Sequence, residues 1–332
     1  MGLCSRGLVV AVAHGVCSAS LNILLKVLFS HLNFPCPSTV QLCGALISAS
    51  ILALLRRAPA PLTIPMDPLD LSLISTCLPL VVLAVVHPTL TLLALRFLTL
   101  PTYVTFKRCT PLATACLSSL ALPSVRHRGV AVSRVSATLA ATLTASGAII
   151  TALGDVSGTR EGYVCGVACV LLHACYLVAI EKVHAEHGLD PLTMQYAATT
   201  CSAPVFALFA LSAGDPSLLM SPQSWAAQGV VAAFLGSITL VAFLSFTMLQ
   251  CTVRNSAITT SFVGVAKSIA MAVVGLTALA DAKPSFLSIC GVILSALGGT
   301  TYAVTTWRSR RGVVKHAEGT SSDEIRGGSD SA

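Results

Sequence analysis

The chain has 332 residues, of which 55% are apolar and only 10% charged. Soluble domains carry about 25% charged residues, so this composition excludes an ordinary water-soluble fold and points to a membrane protein. The net charge of +7 needs no nucleic-acid partner, because loop cations on one side of a membrane and cations within the spans account for it.

Apolar runs of about 20 residues, long enough to cross a hydrocarbon core about 30 Å thick, recur from end to end. Ten are expected: 8–29, 37–55, 71–95, 101–122, 132–153, 162–181, 192–213, 226–250, 256–279 and 284–306. The first follows Arg6 like a signal peptide. It contains Asn22 and Lys26, exceeds an h-region in length and lacks a small-residue cleavage site, so it is expected to be retained. The fourth carries "YVTFKRCTPL", with Lys107 and Arg108 side by side in an otherwise apolar or small-residue stretch. In the sixth, Cys165, Cys169, His173 and Cys175 have helical spacing. No carboxylate or second histidine joins them there, and cysteine is a small residue that packs well in a helix bundle, so no metal is expected. The thirteen cysteines are scattered and none forms a C-x-x-C pair. The segment 308–332 is polar and rich in Gly and Ser, the composition of a disordered cytosolic tail.

Loop charge sets the orientation. With both termini in the cytosol, Arg6, Arg56, Arg57, Arg126, Arg128, Arg134, Lys182, Arg254, Arg308, Arg310, Arg311, Lys315 and Arg326 lie inside, and only Arg96, Arg160 and Lys283 outside. An even number of spans agrees with that placement.

The halves echo each other. "PTYVTFKRCTPLATACL" in the fourth span and "AITTSFVGVAKSIAMAVVG" in the ninth each hold a lysine among small and hydroxyl residues, and "TLTASGAIITALGD" in the fifth resembles "GVILSALGGTTYAV" in the tenth. An odd number of spans per copy inverts the second copy. The expected fold is therefore all-α and integral to the membrane: one domain over residues 1–307, built as inverted five-helix repeats (about 1–155 and 156–307) with a binding site at their interface.

Four cations fall within the spans: Lys26, Lys107, Arg108 and Lys267. Each costs about 2.5–3.5 kcal/mol at a helix centre on insertion scales, and the nearest acids, Asp155, Glu181 and Asp281, lie at span ends. Positive charges without negative partners point to an anionic substrate. Lys267 is about 16 Å into its span. Lys107 shares a helix face with Tyr103, whereas Arg108 is turned about 100° away, and Lys26 is near enough to a span end to reach the headgroups. Thr105, Thr110, Thr259, Thr260, Ser261 and Ser268 supply hydroxyls for phosphate or sugar oxygens. Tyr103, Tyr196 and Tyr302 are candidates to stack on a base or sugar. Gly264, Gly275, Gly298 and Gly299 are expected to let helices approach closely.

On "AHGVCSASLNILLKVL", "FLTLPTYVTFKRC", "GYVCGVACVLLHACYLV" and "NSAITTSFVGVAKSIAMAVVG", the chain resembles nucleotide-sugar transporters of solute carrier family 35, most closely subfamily D and its fringe-connection-like branch. The resemblance spans residues 1 to about 307. It implies exchange of a cytosolic UDP-sugar (UDP-glucose, UDP-N-acetylglucosamine or UDP-glucuronate) for luminal UMP at an endomembrane of the Golgi, endoplasmic reticulum or secretory vesicles, with no cofactor, no metal and no catalytic residue. It also implies phosphate contacts from Lys107 and Lys267 and a base contact near Tyr196. Where GDP-mannose carriers have Asn residues after that Tyr and a G-A-L-N-K motif, this chain has Ala197 and Ala198 and "GVAKS", which argues against guanine. The candidate site is thus Lys107, Lys267, Arg108 and Lys26 for phosphate, with Tyr103, Tyr196, Ser261, Ser268 and Tyr302 for base or sugar. The expected partners are a nucleotide sugar, a nucleoside monophosphate and the bilayer, with a homodimer left open. The competing reading is a trafficking or assembly factor that keeps a transporter fold without transport. No base, nucleophile and orienting group assemble in sequence, so an enzyme is not expected.

Overall fold

The computed structural model describes residues 2–57, 66–122, 134–154, 159–277 and 285–327, all helix and short connections. The helices are α1 (Gly2–Lys26), which continues as a π turn over Val27–His31, α2 (Pro37–Arg57), α3 (Leu71–Phe97), α4 (Leu100–Lys107), α5 (Thr110–Ala121) and α6 (Arg134–Leu153). They are followed by α7 (Arg160–His187), α8 (Pro191–Ser212), the single turn α9 (Asp215–Leu219), α10 (Val230–Asn255), α11 (Ala257–Thr277) and α12 (Phe286–Gly327). Among the described residues eight helices, α1, α2, α3, α6, α7, α8, α10 and α12, are long and apolar enough to cross a membrane. The other two expected spans are the broken pair α4–α5 and α11, whose described apolar part is shorter. Helix α12 runs on past its apolar stretch to Gly327, through most of the segment whose composition predicts a disordered tail.

Capping explains where these helices begin. Asp70 accepts from Leu73 N at 2.7 Å to start α3, Thr159 from Gly162 N at 3.2 Å to start α7, and Asp190 from Leu192 N at 2.9 Å to start α8. Two acids act across the fold in the same way. The buried Asp215 accepts from Thr39 N at 3.0 Å and Thr39 Oγ1 at 2.7 Å at the start of α2, and Glu181 accepts from Ala257 N at 2.8 Å at the start of α11. A carboxylate beside a helix N-terminus meets unpaired N–H groups and the positive end of the dipole, so both acids are engaged away from the lysines.

The break between α4 and α5 corrects the expected single span. Pro111 has no N–H to give to the Lys107 carbonyl four residues back, and the chain tightens into a turn in which Cys109 N bonds Phe106 O at 2.9 Å. Helix α3 carries Pro79 and Pro88 in its interior, and Pro88 frees the carbonyl of Ala84, one turn back, for the same reason.

Packing is pairwise. Helix α3 lies on α7 and α8, and α10 on α1 and α2; α11 packs on both α4 and α5, and α6 on α12. The α6–α12 contact is built from small residues. A Cβ on Gly147 would come within 2.5 Å of Gly291 O, and one on Gly298 within 2.7 Å of Thr144 N, while Ser295 Oγ donates to Thr144 O at 3.0 Å. Close approach at Gly298 is as expected. Gly299 makes only ordinary contact, and the side-chain surroundings of Gly275 lie outside the described residues. A Cβ on Gly264 would meet nothing within 4 Å, because that residue faces a cavity rather than a neighbouring helix.

Candidate functional site: a cationic cavity between the helices

Helices α1, α3, α4, α7, α10 and α11 surround a cavity, to which α2 and α5 each add one residue, Gln41 and Thr110. Lys107 enters from the end of α4 and Lys267 from the middle of α11, so the two lysines that charge burial singled out share one chamber. Tyr103, Ser261, Thr110 and Thr260 line it too. The described lining includes no Asp or Glu.

Local structure fixes each cation. Pro111 ends α4 at Lys107 and turns the side chain inward, where Nζ lies 3.1 Å from His87 Nε2 and 5.7 Å from the Tyr103 ring centroid. An ammonium above a tyrosine ring gains a modest cation–π attraction. Lys267 donates to Ser18 Oγ across the cavity, on α1. Both contacts are to neutral groups, so neither offsets the charge. Beside Ser18, Asn22 Nδ2 bonds the Ser18 carbonyl at 2.8 Å and stays on the cavity wall.

The remaining predicted residues sit elsewhere. Arg108 is fully buried behind the helix break, donating through Nε to Ser268 Oγ at 3.1 Å and through a terminal nitrogen to Thr151 Oγ1 at 3.5 Å. It therefore ties the α4–α5 turn to α11 and α6, and Ser268 is occupied as its acceptor rather than facing the cavity. Lys26 donates to the carbonyls of Leu95 at 3.3 Å and Leu98 at 3.1 Å. It neither lines the cavity nor reaches headgroups: the unsatisfied carbonyls at the end of α3 hold it, as a helix C-terminus holds a cation. Tyr302 stacks on Phe262, with ring centroids 3.9 Å apart, and its hydroxyl meets Thr259 Oγ1 at 2.9 Å, which takes both away from the chamber. Tyr196 stands at the α2–α8 end with the Arg56 guanidinium 6.0 Å from its ring centroid. Residues near it, Gln195, Ala198 and Thr199, line a smaller side chamber that shares Gln41, Pro88, Tyr176 and Ser245 with the main one.

Three histidines line the cavity, of which sequence reasoning missed His14 on α1 and His87 on α3 and weighed His173 on α7 only as a possible metal ligand. His173 Nδ1 is 3.0 Å from His87 Nε2, and His14 Nδ1 is 3.5 Å from Thr247 Oγ1. Each is alone in its span, and the only available signal was a polar ring in an apolar helix. The cysteines beside His173 do not join it: no group of three His, Cys, Asp or Glu able to hold a metal ion occurs among the described residues.

No family model matches the chain. Individual proteins do. It is 27% identical over 311 residues to UDP-galactose/UDP-glucose transporter 7 of Arabidopsis thaliana, covering 92% of each chain. It is 26% identical over 303 residues to UDP-sugar transporter UST74c of Drosophila melanogaster (91% of this chain, 78% of that one) and 24% identical over 306 residues to nucleotide sugar transporter SLC35D2 of Homo sapiens (90% and 86%). One solved crystal structure, 16% identical, shares the fold with a TM-score of 0.62 over 92% of this chain and 98% of that one. These named proteins are transporters, not enzymes, and this all-helical membrane chain is similar to them over about nine-tenths of its length.

Proposed function

We propose that the protein carries a nucleotide sugar of the UDP-sugar class across an endomembrane in exchange for UMP. One observation carries this reading: Lys107 and Lys267, from helices distant in sequence, face a single cavity whose described lining has no acid. A diphosphate supplies the missing negative charge, and charge-assisted hydrogen bonds to it are worth about twice a neutral pair. Hydroxyls of Ser261, Thr110 and Thr260 are within the same chamber to receive polar oxygens. The relatives' names supply the nucleotide-sugar class, and Ala197, Ala198 and the "GVAKS" motif favour uridine over guanosine, within the subfamily-D branch to which we assign the chain. Obligatory exchange follows from the same charges, because an empty cavity that passes through an occluded state keeps two cations unpaired in a dry interior.

The cavity lies where two inverted repeats would meet. Exchanging the expected halves maps the α3–α7 pairing onto α10–α1 and α3–α8 onto α10–α2, and returns α6–α12 to itself, which supports rocking of one half against the other.

Proteoliposomes loaded with UMP and offered labelled UDP-glucose, UDP-N-acetylglucosamine, UDP-glucuronate and GDP-mannose test the proposal. Uptake of at least one UDP-sugar that depends on internal UMP is expected, with UMP competing better than GMP. Uptake independent of internal nucleotide overturns exchange. Preference for GMP overturns the uridine assignment. Absence of uptake by well-folded protein favours the trafficking role.

A further inference from the structure

Three histidines on three helices face the cavity, and two of them touch. His87 Nε2 is 3.1 Å from Lys107 Nζ and 3.0 Å from His173 Nδ1, with the two rings' centroids 4.6 Å apart. A lysine ammonium can only donate, so Nε2 of His87 is the acceptor and its proton sits on Nδ1. His173 then reaches the same lone pair through its own Nδ1–H. Two donors share one acceptor, and a charge placed on either ring would stand beside the Lys107 ammonium with no anion to offset it.

A phosphate ligand reverses this balance. It takes the Lys107 ammonium, frees Nε2 of His87 and brings negative charge next to both rings. We propose that the His87–His173 pair takes up a proton when an anionic nucleotide enters the cavity and returns it on release, so that the protein binds its ligand together with a proton; this rests on the nucleotide reading of the same cavity. The proton comes from the buffered solvent, adds to Nε2 of His87 and stays there, and the resulting imidazolium donates an Nε2–H hydrogen bond to a phosphate oxygen. Because binding consumes a proton, affinity rises as pH falls into the imidazole range. The titratable and charged groups facing the pair are Lys107 and Tyr103 on α4, Lys267 on α11, His14 on α1, and Tyr176 and Cys169 on α7. Helices α2, α5, α8 and α10 place no ionisable side chain among the described residues lining either chamber.

Calorimetric titration of the purified full chain with UDP-glucose at neutral pH, in buffers of different ionisation enthalpy, reads the proton count directly. UDP-glucose is the probe because its doubly esterified diphosphate does not titrate near neutrality, whereas a monophosphate has a second ionisation near pH 6. Wild type is expected to take up as much as about one proton per ligand. His87→Gln with His173→Gln, which keeps hydrogen-bonding capacity without titrating, is expected to bind with that uptake lost; thermal melting verifies folding, and either single substitution serves if the pair does not fold. Binding by wild type without proton uptake overturns the proposal, as does undiminished uptake in a folded variant, which assigns the proton to a lysine instead. If neither UDP-glucose nor UMP binds wild type at any pH, the nucleotide reading fails and this proposal fails with it.

Discussion

Lys26 is buried and Lys267 half-buried at the cavity, and their surroundings predict opposite phenotypes. Lys267 faces the cavity and donates to a single hydroxyl, that of Ser18. Lys267→Gln removes a costly charge from a span centre, so insertion and thermal stability are expected to hold or improve. Exchange is expected to fall tenfold or more, since one charge-assisted contact is worth about 1.5–3 kcal/mol. Parallel measurement of melting temperature and UMP exchange checks this, and a variant that folds and transports normally removes Lys267 from the site. Lys26 instead ties α1 to the final carbonyls of α3 through Leu95 and Leu98. Lys26→Met is expected to lower the melting temperature by stranding those acceptors while leaving the KM for substrate unchanged.

Among elements, the α6–α12 pair and the α4–α5 break have different roles. The first is a static seam in which backbone meets backbone at Gly147 and Gly298, and neither helix contributes a described residue to the cavity lining. Gly147→Leu forces the helices apart, and overpacking costs typically about 1–3 kcal/mol. Melting temperature is expected to drop while the surviving folded protein keeps its ligand affinity, measured by titration. The break is where function is set. Pro111→Ala restores the N–H that Lys107's carbonyl lacks, allowing α4 and α5 to join. That variant is expected to melt at a higher temperature and exchange more slowly, because Lys107 no longer ends a helix at the cavity. Unchanged exchange would show that the break is incidental.

At the scale of the molecule, helix ends gather on two faces. On one, the Asn255 side chain donates to Gly7 O at 3.1 Å, joining the end of α10 to the start of α1, and Arg56 at the end of α2 covers Tyr196 at the start of α8. On the other, Lys26 meets the end of α3, and Asp215 caps the start of α2. The loop-charge asymmetry of thirteen to three predicts that the first face is the cytosolic one. Tags on both termini are expected to be reached by antibody with internal membranes intact, and a tag after Met220, 88% exposed in the loop beyond α8, only after permeabilisation. Termini on opposite sides would refute the even span count.

Much of this was legible in one dimension because membrane burial constrains each span separately. A charge inside an apolar run is costly wherever its neighbours lie, so Lys107 and Lys267 stand out before any contact is known, and Gly298 in "SALGG", expected to let helices approach, does so between α6 and α12. Contacts between distant spans were not legible, because helical periodicity gives a side chain's direction on its own helix but not what stands opposite. Only the tertiary structure brought His87 from α3 between Lys107 and His173, gave Lys26 to backbone carbonyls and Arg108 to Ser268 and Thr151, and gave Asp215 and Glu181 to helix N-termini. Composition and hydropathy determined that the chain is a helical membrane protein with cations seeking an anion. The tertiary structure decided which of those cations face the cavity and which are held elsewhere, Lys26 by carbonyls and Arg108 by two hydroxyls with its Nη2 left without a partner, since a hydrogen bond to a carbonyl or a hydroxyl depends on geometry within about 3 Å that no spacing along a single helix encodes.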